Sequence, residues 1–155
     1  AGITLLLLLG LSRTQIRHWQ DSITLFSHTV SVTENNLVMM NNLARAHLAK
    51  GELDQAQSIY EDLVSRRAQH FAHHHLGAIH LHRGDPAAAE FHFRAALAVE
   101  PGYSPPAFEL GRLMFSRRKY REAANLFERV LHAEPGNAAA EDYLRRITEL
   151  TSTAR

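Results

Sequence analysis

The chain has 155 residues, 17 Lys+Arg against 16 Asp+Glu for a formal charge of +1, 45% hydrophobic residues and no cysteine. This balance excludes a bulk field for gathering nucleic acid, and the missing thiols exclude a disulfide scaffold, a cysteine zinc site and a cysteine nucleophile. Eleven histidines are the unusual number, since protonating all of them would carry the formal charge from +1 to +12.

Residues 1–11 read AGITLLLLLGL. As a helix this run covers about 16 Å, about half a bilayer core. Leu5, Leu6, Leu7, Leu8 and Leu9 leave no polar face for a surface helix. A signal peptide would need a charged leader and a small-residue cleavage site, and neither is visible. Of three readings (a trimmed transmembrane helix, the tail of a signal peptide, a buried soluble helix), the run fits a transmembrane remnant best. The chain is then the C-terminal piece of a longer protein. Residues 1–18 form that remnant and its exit, with Arg13, Arg17 and His18 entering water and Trp19 at the interface.

From residue 19 onward the sequence repeats, with a period of about 34 residues. Leu76-Gly77, Gly84, Ala89, Phe93, Leu97 and Pro101 return one period later as Leu110-Gly111, Arg118, Ala123, Phe127, Leu131 and Pro135. The preceding period, shorter by a single place, holds Leu43-Ala44, Gly51, Ala56 and Tyr60, and the one before it reaches Phe26. Each period reads as a helical hairpin. The small residue after Leu lets two helices approach, and the aromatic of the second helix plugs the joint. Gly51 and Gly84 are placed to end first helices with positive φ. Asp85-Pro86 and Ser104-Pro105 read as N-cap followed by N1 proline. The spacing predicts an all-α chain with a leading half repeat at 19–36, full repeats at 37–69, 70–103 and 104–137, and a capping helix and tail at 138–155.

These landmarks resemble the tetratricopeptide repeat (TPR) family, whose L-G, A-x3-F and terminal P are met twice in phase over roughly residues 20 to 150. Departures are His73 where the family favours Trp, His47 and His80 where it favours Tyr, and Arg118 where it favours Gly. The resemblance implies a right-handed superhelix lined inside by the first helix of each pair. Its inward residues would be Val38, Asn41, Asn42, Arg45 and Leu48, then Phe71, His74, His75, Ala78, Leu81 and His82, then Pro105, Phe108, Glu109, Arg112 and Phe115. Such a wall of Asn, Arg and aromatic residues suits an extended peptide or a partner protein. Bare solvent-facing helix positions are the alternative. The clamp by which some family members hold a peptide carboxylate matches only in fragments, because its places carry Asn41, Arg45, His75, Pro105 and Glu109. The apolar run, then TQIRHWQDSITLF, then repeats is also similar to the junction in polytopic membrane glycosyltransferases of the protein O-mannosyltransferase class. That likeness implies repeats on the periplasmic or lumenal side and catalysis in a membrane portion outside this sequence. Arg13 and Arg17 point instead to a cytoplasmic exit.

Seven histidines fall in the second repeat: His70, His73, His74, His75, His80, His82 and His92. Only His70, His73 and His74 have the one-turn spacing that metal binding on a helix needs, without a nearby carboxylate. The reading is therefore no metal and no cofactor. His73 and His80 are expected to pack as aromatics, and His74, His75 and His82 to face solvent or groove, where a pH-sensitive groove is a second reading. Arg117, Arg118, Lys119 and Arg121 cluster at one turn and suit anionic headgroups or nucleic acid, but interleaved Glu122 and Glu128 dilute the patch toward an ordinary solvated turn. No glycine elbow, P-loop or metal-dyad spacing is present. The expectation is a non-catalytic, membrane-attached interaction scaffold. The alternatives are the tail of a membrane enzyme or an accessory subunit of a larger membrane complex.

Overall fold

The computed structural model describes residues 22–33, 36–66 and 69–152. The expected membrane residues Leu5 to Leu9 lie outside these. Among the described residues no helix is long and apolar enough to cross a membrane. The chain divides into two units, Ala1–Ser65 and Arg66–Arg155. The first holds α1 (Ser22–Val32), α2 (Leu37–Ala49) and α3 (Leu53–Ser65). The second holds α4 (Gln69–His82), α5 (Pro86–Val99), α6 (Ser104–Ser116), α7 (Tyr120–Ala133) and α8 (Ala138–Ser152).

Local chemistry starts and stops these helices. Asn36 caps α2 by accepting from Met39 N at 3.1 Å, and Asp85 caps α5 by accepting from Ala88 N at 3.0 Å, with Pro86 following as expected. Ser104 departs from expectation. Helix α6 begins at Ser104 itself, with Tyr103 in extended backbone as its N-cap. The Ser104 hydroxyl bonds to Glu134 instead of to its own helix, so the side chain expected to cap α6 ties α6 to the end of α7.

Three hairpins turn in the same way. After α2, Gly51 N bonds to Leu48 O at 3.0 Å and Glu52 N to His47 O at 3.0 Å. The pattern recurs after α4 with Gly84 to Leu81 and Asp85 to His80, and after α6 with Arg118 to Phe115 and Lys119 to Met114. These paired bonds are Schellman caps, which need a left-handed residue. Gly51 and Gly84 supply it at φ 77° and 75°, while Arg118 is forced to φ 60°. A residue with a Cβ is disfavoured there by about 1–2 kcal/mol.

The core of the second unit is a ladder of small-against-aromatic contacts. A Cβ on Gly77 would lie 2.5 Å from the Phe93 ring, and one on Gly111 would lie 2.9 Å from the Phe127 ring. Both rings are fully buried, in a core cluster that also holds Leu110, Met114 and Val130. In the first unit Ala44 and Tyr60 occupy the corresponding places and are likewise buried.

Gly77→Ala should lower unfolding stability by about 1–2 kcal/mol despite alanine's better helix propensity, because the ring has nowhere to retreat. Gly102→Ala, whose Cβ would find its nearest neighbour at 3.7 Å, should be close to neutral. At the third turn, Arg118→Gly should raise stability by about 0.5–1 kcal/mol as strain is relieved, and Arg118→Ala should not. Urea midpoints of the four variants check both expectations.

Candidate functional site

In the first unit, Ser22, Ile23 and Phe26 of α1 meet Asn42, Arg45, Ala46 and Ala49 of α2 around a cleft of about 380 Å³. Asn42 and Arg45 thus line one cleft. Val38 is exposed, and Asn41 keeps a buried side-chain oxygen with no hydrogen-bond partner among the described residues.

In the second unit two clefts share Glu109. One, about 340 Å³, is lined by His74, Ser104, Pro105, Phe108, Glu109, Val130, Glu134 and Asn137. The other, about 290 Å³, is lined by Leu81, Glu109, Arg112, Leu113, Phe115, Ser116 and Tyr143. Helices α4, α6 and α8 all contribute, so of the expected residues His74, Phe108, Glu109, Arg112 and Phe115 are brought together. Phe71, His75 and His82 lie outside both linings. Phe71 packs edge-on against His70 at 5.4 Å, His75 lies 5.0 Å from the His74 ring, and His82 is exposed.

Aromatic rings build the cleft floor. Tyr143 stacks on Phe127 at 4.7 Å and meets Phe108 at 6.0 Å and Phe115 at 5.2 Å. The Arg146 guanidinium lies 4.9 Å from the Phe115 ring centre and 5.2 Å from that of Tyr143. At the rim Arg112 is half exposed and pairs with Glu109 at 3.1 Å. Around the first cleft, hydrogen bonds from Ser104 and Asn137 hold the Glu134 carboxyl below its ordinary pKa, and burial raises the Tyr103 phenol. An apolar floor with a cation and a carboxylate at its edge accommodates a side chain below and backbone amides above.

Tyr143 and Arg146 are the residues that sequence reasoning missed, because α8 reads as a polar capping helix. The repeat itself contained the signal, since Tyr143 and Arg146 stand one period after Glu109 and Arg112.

The histidines divide between two environments. His74 does not face open water. Its ring lies 6.2 Å from Phe93 and 5.7 Å from Tyr103, its Nδ1 is buried with no hydrogen-bond partner among the described residues, and burial lowers its pKa. His73 and His80 do take aromatic places, and His92 of α5 completes the set. His73 Nδ1 lies 3.0 Å from His92 Nδ1, and His80 stacks on His92 at 5.2 Å with 13° between planes. Asp85 stands 3.8 Å from His80. Among the described residues no group of three or more His, Cys, Asp or Glu is placed to hold a metal ion.

Burial also lowers the His73 pKa. For His73 and His74 the unfolded chain therefore takes up protons at a higher pH, near the ordinary 6.5, than the folded one does. Their contribution to stability is complete above that value and is lost as pH falls below it. Urea midpoints should accordingly drop between pH 7.5 and pH 5.5, and the drop should shrink in a His73→Phe, His74→Phe double variant.

Two family models described as tetratricopeptide repeat match residues 41–104 and 80–147. No curated protein sequence matches the chain. Among solved structures, MamA is similar at TM-score 0.70 and 18% identity, covering 84% of this chain and 77% of that one. The first TPR of Spaghetti (RPAP3) bound to the HSP90 peptide SRMEEVD gives 0.68 and 22%, covering 79% and 98%. The second TPR domain of human RPAP3, in complex with the HSP70 peptide SGPTIEEVD, gives 0.62 and 22%, covering 73% and 98%. At these identities the likeness is one of fold.

Proposed function

This chain belongs to the tetratricopeptide repeat family, and we propose that it is a non-catalytic interaction scaffold that binds an extended peptide segment of a partner protein. The observation that carries this reading is the pair of clefts sharing Glu109, to which α4, α6 and α8 contribute from alternate helices. Similar folds that hold peptides, such as the two RPAP3 domains, support it by analogy of fold. A side chain of the ligand enters between Leu81, Phe115 and Tyr143, and Arg112 takes a backbone carbonyl or carboxylate. In the first unit Asn42 and Arg45 extend the same function. The repeat bounds at 37–69, 70–103 and 104–137 are part of this proposed reading.

Membrane attachment through the apolar run at Leu5 to Leu9 belongs to the proposal, with the repeats on the periplasmic or lumenal side. Its support is the sequence AGITLLLLLGL and the likeness of the Arg17 to Phe26 stretch to membrane glycosyltransferase junctions. The parent enzyme, or a larger membrane complex, would then supply any chemistry.

Selection of a displayed random-peptide library on the chain tests the binding reading. Enriched peptides should lose at least about tenfold in affinity with Arg112→Ala, at unchanged helical circular dichroism, a loss of about 1.4 kcal/mol typical of one charged contact. No enrichment, or peptides held equally by the variant, would overturn it.

A further inference from the structure

The turn between α6 and α7 carries Arg117, Arg118, Lys119 and Arg121. By sequence alone the neighbouring glutamates balance these cations. The structure separates the charges into two groups. Arg117 bonds to Glu90, Arg94 bonds to both Glu90 and Glu122, and these two cations and two anions close on themselves. Burial would raise the Glu90 carboxyl, but the bonds and charges of Arg94 and Arg117 hold it below its ordinary pKa. Glu122 is therefore engaged by Arg94. Glu128 lies two helical turns beyond Arg121, about 10 Å away.

Arg118, Lys119 and Arg121 are exposed and have no ion-pair partner among the described residues. They give a local excess of +3 on a chain whose formal charge is +1. With Tyr120, Glu122 and Asn125 they border a shallow depression of about 690 Å³. Four consecutive residues span at most about 11 Å, close to one Debye length, so the three cations act as one patch. One of them, Arg118, also holds the left-handed turn position that glycine fills at Gly51 and Gly84. An arginine thus stands at a place where its backbone is disfavoured, and where its charge adds to the patch.

We propose that this turn docks onto an anionic lipid bilayer. A plane of headgroups fits three cations gathered at one turn tip beside a shallow depression. An acidic peptide would need a groove to lie in, and duplex nucleic acid would need cations spread along its phosphates. This docking rests on the charges of the turn and does not depend on the membrane attachment proposed above.

The full chain is tested by sedimentation with phosphatidylcholine vesicles and with vesicles of phosphatidylcholine and phosphatidylglycerol in equal parts. The apolar run should contribute equally to both, so failure to bind neutral vesicles counts against membrane attachment, and the patch is then read from binding to the anionic vesicles by the chain and its variants. Each cation near an anionic surface is worth about fivefold in partitioning. The Arg118→Gly, Lys119→Gln, Arg121→Gln variant should lose about a hundredfold of the preference for anionic vesicles. Arg129→Gln, which removes a charge elsewhere on α7, should stay within about twofold. Since Arg118→Gly relieves backbone strain, loss of folding does not confound the triple variant. A triple variant that keeps the preference, an equal loss with Arg129→Gln, or binding to duplex DNA without any preference for anionic vesicles would overturn the assignment.

Discussion

The close approach of paired helices over a glycine is the constraint on which the second unit depends. Gly77 and Gly111 bring α4 against α5 and α6 against α7 at a distance where the Phe93 and Phe127 rings occupy the space a side chain would need. Each ring is then fully buried at little cost in strain, a gain of about 2–3 kcal/mol apiece. The same approach fixes where the next helix starts. Phe127, seated by Gly111, becomes the surface on which Tyr143 stacks, so α8 is positioned by an interaction set one hairpin earlier. The clefts at Glu109 are the outer side of this packing. Their floor rings, Phe108, Phe115 and Tyr143, are partly buried and pack against that core.

The hairpins were largely legible in the sequence because their signals are local and steric. A glycine needed for a left-handed turn and an aspartate that caps with proline behind it act within a turn or so of chain, and no distant contact competes with them. Arg118 shows how strongly the Schellman turn is imposed. The two bonds that close it, from Arg118 to Phe115 and from Lys119 to Met114, form although the residue at the bend is an unfavourable one. Ser104 escapes a local reading for the converse reason. Its hydroxyl has a second partner, Glu134, far along the chain at the end of α7, and a spacing rule has no means of weighing a tertiary acceptor against a local one.

The site was legible in part. Phe108, Glu109, Arg112 and Phe115 follow from the register of α6 alone, whereas His75, one period before Glu109, misses both clefts, as does His82. Register gives the direction of a side chain from its own helix, but a cleft exists only where neighbouring helices leave space. Tyr143 and Arg146 were hidden by composition, since α8 carries enough charge to read as a terminal cap. Its periodicity continues that of α6, and one face of a polar helix can still close a cleft.

The histidines give the second repeat a property its neighbours lack. His73, His80 and His92 correspond, one period on, to Ala107, Met114 and Leu126, all buried and apolar in the next hairpin. In the preceding period they correspond to Met40, His47 and Ile59, a single imidazole among aliphatic residues. The joint between α4 and α5 thus keeps ring packing where the following hairpin uses aliphatic packing, and adds a polar contact. The bond between His73 and His92 joins two Nδ1 atoms, so one must donate and the other accept, which requires at least one neutral ring. Two protonated rings would oppose donor to donor at 3.0 Å, and Asp85 faces His80 rather than this pair. Within this hairpin the contact between α4 and α5 thus depends on the protonation state of the His73 and His92 imidazoles.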